Sequence, residues 1–408
     1  MIRQCHEKMY PNNVKTALVM PGGGARGAFQ VGVLKAIAEL LPRGCPNPFP
    51  IISGTSAGAI NSLVLASAAS RIHIGVAELE HVWGNFESRQ VFRADSWTMF
   101  RSSLHWLTSI VLGGMLVGTP RSLLNNSPLR ELLKANVRFP RIEKAIDDGD
   151  LYAIAVTAAG YGSARSTTFF QGASAAHEWT RKRRVGIRQP VDLDHIMASV
   201  AVPMIFPPVK IHGEYFGDGA MRQATPLSPA IHLGADRILV IGVRDETADS
   251  APAPTEPQDF PNLAQIAGYM LDTLFMDGLY SDLERMTRLN ELIDSIPEEH
   301  HSPELKRLRP VDTMVVLPST DLRGIAQKHR RSMPIGLRAL LRGIGGKGGS
   351  EDRLLSFLMF ERAFTRELIE LGYNDAMQVR EELERFVTGQ EVPRFVAPER
   401  IKNDLRGL

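Results

Sequence analysis

Apolar residues between Lys15 and Leu233 alternate between short, often β-branched runs and longer runs with helical spacing. The run Thr16–Met20 predicts a buried strand, and Gly27–Leu41 predicts a helix. Phe49–Ser53 and Ala57–Ala69 repeat this order of strand and helix. Further strands are predicted at Leu151–Ala159, Ser166–Gln171, Arg237–Val243 and Thr313–Ser319. Near-continuous apolar strands that are separated by helices indicate a largely parallel sheet covered on both faces.

This pattern predicts an α/β fold with three layers, in which a mostly parallel central sheet lies between two layers of helices. We expect residues 1–14 to form an N-terminal tail and residues 15–245 to form the α/β domain. Residues 246–408 are predicted to be a helical C-terminal region. This region is also expected to contribute a late strand near 313–319 and a basic segment at 323–349.

Three longer segments are predicted to be helical outside the strand and helix alternation. Two of them, about Asn262–Ile296 and about Asp352–Val387, follow a loop rich in proline, alanine and acidic residues. The third, Ser102–Pro120, is the longest uncharged segment of the chain. Its continuous apolar part is shorter than the roughly 20 residues of a membrane-spanning helix, so a core or interfacial helix is predicted.

The charge and cysteine content argue against several classes of protein. A net charge of +2 gives no basis for expecting nucleic acid as a partner. Cys5 and Cys45 are the only cysteines, and their spacing fits neither a disulfide framework nor a metal site. The first 20 residues carry charges and a proline where a signal peptide has its apolar core. We therefore expect a cytoplasmic protein without a signal peptide or a transmembrane span.

Ser56 lies between Gly54 and Gly58 in the sequence GTSAG, where an apolar strand is predicted to turn into a helix. Two interpretations are open, because a serine at this place either caps the helix or acts as a nucleophile. The flanking small residues allow the close backbone approach of a nucleophile elbow. The helix N-terminus would also favour negative charge on the serine oxygen. The catalytic interpretation is therefore preferred.

A second glycine-rich turn, PGGGARG, follows the first predicted strand. Gly22, Gly24 and Gly27 match the dinucleotide-binding fingerprint, but the acidic residue that this fingerprint needs about 20 positions later is missing. Consecutive glycines can instead turn their N–H groups toward one point and form an oxyanion hole. Since successive strand-to-helix turns of a parallel sheet open at the same edge, we expect this glycine loop and Ser56 to face one cleft.

The general base is less evident than the nucleophile. A catalytic serine usually passes its proton to a histidine that is held by a carboxylate. None of the eleven histidines stands in a setting that marks it as catalytic. Asp218 follows a strand-like run in the sequence DGA, which on its own is typical of a hairpin turn.

Taken together and in this order, the motifs GGGARG, GTSAG and DGA resemble those of the patatin-like phospholipases. The segments Ser127–Leu133 and Ala198–Val209 also resemble that family, and the resemblance covers about Thr16–Val243. The chain departs from the family pattern at Pro21, where many members carry an acidic residue. It departs again at Ala220, where many members have glycine.

The resemblance implies a catalytic dyad, with Ser56 as the nucleophile and Asp218 as the base. It implies an oxyanion hole formed by Gly22, Gly23, Gly24 and Arg26. The remaining motif glycines are Gly27, Gly54, Gly58 and Gly219. The expected reaction is the hydrolysis of fatty-acyl esters of phospholipids or lysophospholipids through an acyl-enzyme, with no cofactor and no metal.

Two alternative functions remain open at this point. The same acyl-enzyme could transfer its acyl group to an acceptor other than water. A catalytically inactive protein could instead bind lipids or a partner through the C-terminal helices. The basic segment 323–349 has two interpretations, a transient contact with an anionic membrane surface or a solvated basic loop. The run Arg181–Arg184 is predicted to be a solvated loop.

Overall fold

A computed structural model describes most of the chain. The predicted helix Ser102–Pro120, nearly all of the predicted N-terminal tail and the predicted boundary at residue 245 lie outside the described residues and stay predictions. The described residues are 14–93, 122–244, 263–300, 302, 303, 305, 308–343, 352–399 and 401.

A central sheet of eleven strands organises the described part of the chain. Its order is β11-β10-β9-β1-β2-β3-β4-β6-β5, and β8 pairs with both β3 and β7. The six neighbours from β11 to β3 run parallel. The strands are β1 (Thr16–Met20), β2 (Ile51–Thr55), β3 (Ala153–Gly160), β4 (Ser166–Gly172), β5 (Trp179–Thr180), β6 (Arg184–Arg188), β7 (Val209–Ile211), β8 (Glu214–Asp218), β9 (Arg237–Ile241), β10 (Asp312–Val316) and β11 (Phe395–Val396).

Helices flank this sheet and account for 49% of the structure. They are α1 (Ala28–Leu40), α2 (Ala57–Ser67), α3 (Ile72–Gly84), α4 (Ser88–Val91), α5 (Ser127–Asn136), α6 (Phe139–Asp147), α7 (Leu193–Ser199), α8 (Ser228–His232), α9 (Leu263–Ser295), α10 (Leu322–Lys328), α11 (Ile335–Gly343), α12 (Asp352–Leu358), α13 (Arg362–Gln378) and α14 (Arg380–Val387). Every residue of β1, β2, β3 and β9 is buried, which requires cover on both faces of the sheet. The predicted α/β fold with a mostly parallel sheet is confirmed.

Most predicted boundaries differ from the observed ones by a few residues, and two of the differences have an identifiable cause. The second strand begins at Ile51 rather than Phe49, because Pro50 has no N–H to donate to the sheet. The segment predicted to be helical at about Asp352–Val387 consists of three helices. Its first break falls at Glu361, which forms a β-bridge with Glu87.

The C-terminal helices are part of the main core. Helix α13 crosses α1 so closely that the two backbones meet at glycines. A Cβ atom on Gly32 would lie 2.0 Å from the carbonyl oxygen of Ile369, and one on Gly372 would lie 2.2 Å from that of Phe29. The first helix of the chain is therefore packed against one of its last helices.

No helix in the described ranges combines the length and the apolar character that a transmembrane span requires.

We expect Gly372→Ala to lower the free energy of unfolding by about 1–3 kcal/mol, because the added methyl group forces α1 and α13 apart. Chemical denaturation of the two proteins measures the difference. Gly324→Ala is the matched control, since Gly324 lies in α10 with no heavy atom within 4 Å of the added Cβ. There alanine should be neutral or stabilising, because it favours helices over glycine. Equal stability of Gly372→Ala and the parent would contradict the close crossing.

Candidate active site

Ser56 occupies a strained turn between β2 and α2. Its backbone angles are φ 54° and ψ −125°, a conformation that a residue with a side chain adopts at a cost of about 1–3 kcal/mol. It stands at the N-cap position of α2, yet its side chain makes no capping hydrogen bond. The Ser56 hydroxyl therefore does not cap the helix, which removes the helix-cap interpretation.

Ser199, at the end of α7, fixes this turn from behind. The Ser56 N–H donates to Ser199 Oγ over 2.8 Å, and Ser199 Oγ donates to the carbonyl oxygen of Thr157 over 2.7 Å. All three residues are buried. The Ser199 hydroxyl thus ties the strained backbone of Ser56 to strand β3, and it satisfies two buried backbone groups at once.

Asp218 reaches the same point of β3 from another strand. Thr55, at the end of β2, lies opposite Thr157, and Asp218, at the end of β8, lies opposite Ala158. Strand β4 occupies the other side of β3 from Ala153 to Ala159. Since a strand has only two sides, β2 and β8 share one side of β3 and meet end to end. This register brings Ser56 and Asp218 together.

The carboxyl group of Asp218 is buried and only partly satisfied. Its Oδ1 accepts the Ala220 N–H over 2.9 Å, whereas its Oδ2 has no hydrogen-bond partner among the described residues. Burial raises the pKa of Asp218 to about 7, against smaller opposing effects of the Ser56 hydroxyl and the Ala220 N–H. The unpartnered oxygen is thus an acceptor beside the serine, with a pKa near neutrality.

The glycine loop follows β1 at the same edge of the sheet. Gly22 and Gly23 are buried, and Gly24 has φ +55°, which favours glycine. A Cβ at Gly24 would also lie 2.3 Å from the carbonyl oxygen of Phe357, in α12. The N–H groups of these three glycines donate no hydrogen bond to any described residue. They are available to a ligand.

A closed set of buried side-chain amides braces this loop. Gln30 donates to the carbonyl oxygens of Pro21 and Ile241, over 2.9 and 3.2 Å. Asn61 donates to Gln30 over 2.9 Å and to the carbonyl oxygen of Gly27 over 3.1 Å. Trp83 then donates to Asn61 over 2.7 Å. Through these bonds α1, α2 and α3 fix the glycine loop at both ends. Pro21, where the chain departs from the family pattern, takes part through its carbonyl oxygen.

Arg26 points toward the C-terminal region. Its guanidinium group donates to Ser356 Oγ over 2.7 and 3.0 Å and lies 3.9 Å from the centre of the Phe357 ring. Arg26 is 2% exposed. Its charge remains close to the glycine loop, but its hydrogen bonds and ring contact anchor α12 against that loop.

An apolar cavity of about 40 Å³ adjoins Ser56. Ligand sites usually measure about 300–1,000 Å³, so an acyl chain would need this cavity to widen. Gly24 and Ala57 border it beside the serine. Its apolar walls include Ile60, Trp83, Phe86, Leu129, Phe206 and Phe360.

The remaining motif residues lie around these groups. Gly219 begins the 3-10 turn Gly219–Met221 after Asp218, so the DGA sequence forms no hairpin here. Gly27 ends a 3-10 turn before α1, and Gly54 and Gly58 flank Ser56. The structure thus brings together Ser56, Asp218, Gly22, Gly23 and Gly24, and directs the Arg26 side chain to α12.

Neither a histidine bonded to Ser56 nor a cluster of candidate metal ligands is found among the described residues. His195 pairs with Asp192 at the start of α7, and its ring packs against Phe169. In the ranges that the structure covers, no histidine bonds to Ser56. Within those ranges no group of three or more His, Cys, Asp or Glu side chains is placed to hold a metal ion.

Sequence reasoning missed four residues of the site. Gln30 and Asn61 are polar residues inside fully buried stretches of apolar helices, and this pattern could have marked them. Ser199 lies within the family-like segment Ala198–Val209, but nothing in the sequence shows that it meets Ser56. Gln223 bonds to the hydroxyl of Thr55, a contact that only the fold creates.

Residues 18–231, more than half of the chain, match the family model "Patatin-like phospholipase". A stretch of 60 residues is 47% identical to "Patatin-like phospholipase domain-containing protein 7" of Rattus norvegicus. This stretch covers 15% of this chain and 4% of that protein. Over 73 residues the chain is 38% identical to "cUMP-AMP-activated phospholipase" of Escherichia coli, which is 17% of this chain and 22% of that protein. The chain thus spans less than a quarter of either relative.

Two solved structures resemble the chain weakly. VipD from Legionella pneumophila has 12% identity and a TM-score of 0.34, over 97% of this chain and 73% of that chain. Human GIVD cytosolic phospholipase A2 in complex with methyl gamma-linolenyl fluorophosphonate has 12% identity and a TM-score of 0.39, and the match covers 95% of this chain and 62% of that chain. Neither similarity carries weight beside the family match. On that match, the chain belongs to the patatin-like phospholipase family.

Proposed function

We propose that this protein is a lipid acyl hydrolase of the phospholipase A or lysophospholipase type, with Ser56 as the nucleophile and Asp218 as the base. Membership of the family supports a lipid hydrolase. The observation that carries the proposed dyad is the unpartnered, buried Oδ2 of Asp218 beside a serine held in a strained elbow. Most buried side-chain oxygens in proteins have a hydrogen-bond partner, so an unpartnered one favours a functional role.

In the proposed reaction, Ser56 Oγ attacks the carbonyl carbon of the ester while its proton passes to Asp218 Oδ2. The resulting oxyanion accepts hydrogen bonds from free N–H groups of Gly22, Gly23 and Gly24. The bond to the alcohol then breaks, and Asp218 returns the proton to that leaving alcohol. Water attacks the acyl-enzyme with Asp218 again as the base, which releases the fatty acid and restores Ser56.

Burial makes Asp218 suitable for this role. An aspartate at its usual pKa is a weak base at neutral pH, whereas a base with a pKa near 7 is matched to the operating pH. The loss of water around the carboxyl group is the largest cause of its raised pKa. The site therefore needs no histidine in this proposal.

The surroundings supply lipid contacts in two places. The apolar cavity beside Ser56 would receive the acyl chain after widening. We also propose a transient contact of the segment 323–349 with the membrane face in the cytoplasm. Ile335, at the start of α11, is 74% exposed and supports this contact. Some charge of the segment is already paired, because Lys328 and His329 both bind Glu367.

We expect Ser56→Ala and Asp218→Asn each to lower fatty-acid release from phospholipid and lysophospholipid vesicles at least about 1,000-fold, since each removes one partner of the proton transfer. Release is measured by titration of free fatty acid. The exposed residues Ser70 and Asp147 provide matched controls, Ser70→Ala and Asp147→Asn, which should retain parent activity. Parent-like release by Ser56→Ala would refute the hydrolase proposal. Acyl transfer to an added alcohol would favour the transferase alternative.

Activity is expected to rise with pH through about 7, because Asp218 accepts a proton only when it is ionised. Stability should change in the opposite direction. The raised pKa contributes stability that is fully present below the unfolded value near 3.8 and is lost as pH rises through about 7. Asp218→Asn should therefore exceed the parent in stability by roughly 1–4 kcal/mol at pH 8, and the advantage should disappear toward pH 4. Denaturation at both pH values tests this, and a constant difference would contradict it.

We expect Ser199→Ala to lower kcat about 10–100-fold with little change in KM, because the Ser56 N–H and the Thr157 carbonyl lose their shared partner and the nucleophile shifts. Steady-state kinetics on one lysophospholipid measure both constants. Ser67→Ala is the matched control, since Ser67 is equally buried but its hydroxyl bonds only to Val64 within α2. If both variants lose activity to the same extent, general destabilisation explains the loss and the positioning role fails.

A further inference from the structure

A large basic cavity lies near the proposed dyad and is distinct from the apolar cavity. Its volume is about 890 Å³. It is bounded by the turn between β5 and β6, by the 3-10 turn after Asp218 and by the middle of α9. No Asp or Glu is among the described residues that line it, but six basic residues are: Arg181, Lys182, Arg183, Arg184, Arg222 and Arg285.

The positive charge of this cavity is largely uncompensated. Within the described part of the chain only Arg285 has a carboxylate within 4.0 Å, that of Asp282 at 3.9 Å. Arg184 donates to the uncharged hydroxyl of Thr225. Lys182, Arg183 and Arg222 form neither an ion pair nor a side-chain hydrogen bond with described residues. A protein whose net charge is only +2 thus holds six cations around one opening.

The carboxylate that lies near Arg285, that of Asp282, is itself engaged elsewhere. Asp282 accepts the backbone N–H of Leu227 over 3.0 Å, and burial raises its pKa. The cations also influence their surroundings, since Arg181 and Arg184 add to the burial that lowers the pKa of His232. Among the described residues the cavity thus has basic but no acidic side chains in its lining, and such a region of positive potential attracts anions.

Two residues of the cavity lining connect it to the proposed dyad. Ala220, which lines it, donates its N–H to Asp218. Gln223, which also lines it, bonds to Thr55, the residue before Ser56. No residue lines both this cavity and the apolar one. An ester at Ser56 would therefore lie between an apolar cavity for its acyl chain and a basic cavity for its alcohol portion.

We propose that the basic cavity binds the phosphate of the phospholipid head group, which belongs to the leaving alcohol. This inference rests on the proposed hydrolase function and extends it to substrate selection. Guanidinium groups bind phosphate oxygens through paired hydrogen bonds, and a lysine adds a mobile charge. The enzyme should thus prefer esters whose alcohol carries a phosphate over esters with the same acyl chains and no phosphate.

The test compares phosphatidylglycerol with diacylglycerol of identical acyl chains, both presented in micelles of one neutral detergent. The cavity variant is Arg183→Gln with Arg222→Gln. The matched control is Arg43→Gln with Arg138→Gln, which removes the same charge from exposed positions elsewhere. We expect the parent and the control to share a preference in kcat/KM for phosphatidylglycerol. In the cavity variant this preference should fall at least about tenfold, mainly because KM for phosphatidylglycerol rises.

A second measurement does not depend on hydrolysis. The same substitutions are placed in the Ser56→Ala protein, and its binding to phosphatidylglycerol micelles is measured by gel filtration. Binding at least tenfold weaker in the cavity variant than in the control supports the site. This result would stand even if the parent released no fatty acid from either lipid, in which case only the proposed function fails.

Two results would overturn the proposal. The first is that the cavity variant keeps both the preference and the binding, or that the control loses them equally. In the former case the cavity does not bind the phosphate, and in the latter the charge acts without a specific site. In the second, adenosine monophosphate, used as a soluble phosphate ester, competes with micelle binding of the parent but no longer with that of the cavity variant. The cavity variant would at the same time bind micelles as well as the parent does. The cavity would then take a free phosphate compound rather than a lipid head group.

Discussion

Strand β3 gives one of its sides to two different strands, and the geometry of the candidate site depends on this arrangement. Strand β2 pairs with β3 up to Thr157 and then leaves the sheet at the elbow. Strand β8 pairs with β3 from Ala158 onward, in the opposite direction. Pairing with β8 on this side of β3 therefore begins at the residue after the one where pairing with β2 ends. Ser56 and Asp218 meet because hydrogen-bond register, rather than side-chain flexibility, brings them to adjacent positions.

The same arrangement explains the unusual environment of each residue. Because β2 must turn sharply to clear β8, Ser56 takes a conformation that costs energy, and Ser199 helps to hold it. Because Asp218 ends a strand in the interior of the sheet, water is excluded from its carboxyl group. The backbone strain of Ser56 and the desolvation of Asp218 thus have one common origin. Packing elsewhere in the fold must offset both costs.

Much of the architecture could be predicted from the sequence, because buried parallel strands read as continuous apolar runs. Period and composition located β1, β3 and β9 closely, and proline explains why β2 starts later than predicted. The break at Glu361 could not be predicted in this way, since its cause is a bridge to Glu87, far away in the chain. Local patterns report what a segment can form on its own, whereas such a bridge exists only after folding.

The candidate site divides in the same way. Ser56, Asp218 and the glycines stand in short motifs whose order resembles a family pattern, so they could be named without coordinates. Ser199, Gln30 and Asn61 hold those motifs in place through contacts between distant segments. The direction of the Arg26 side chain depends likewise on Ser356, which lies 330 positions later. Residues that carry chemistry were thus accessible to sequence reasoning, and residues that position them were not.

The contact of the glycine loop with α12 has a consequence for the order of events on the ribosome. A nascent chain that has been made as far as Asp218 already contains both residues of the proposed dyad. It still lacks β9, which flanks β1, and the helices α12 and α13 that pack on the glycine loop and on α1. At 5–20 residues per second, the roughly 160 residues up to the end of α13 take on the order of 10–30 s to synthesise. The two residues of the proposed dyad are thus made first, whereas the surroundings that would allow them to act are complete only after α12 and α13 have been made.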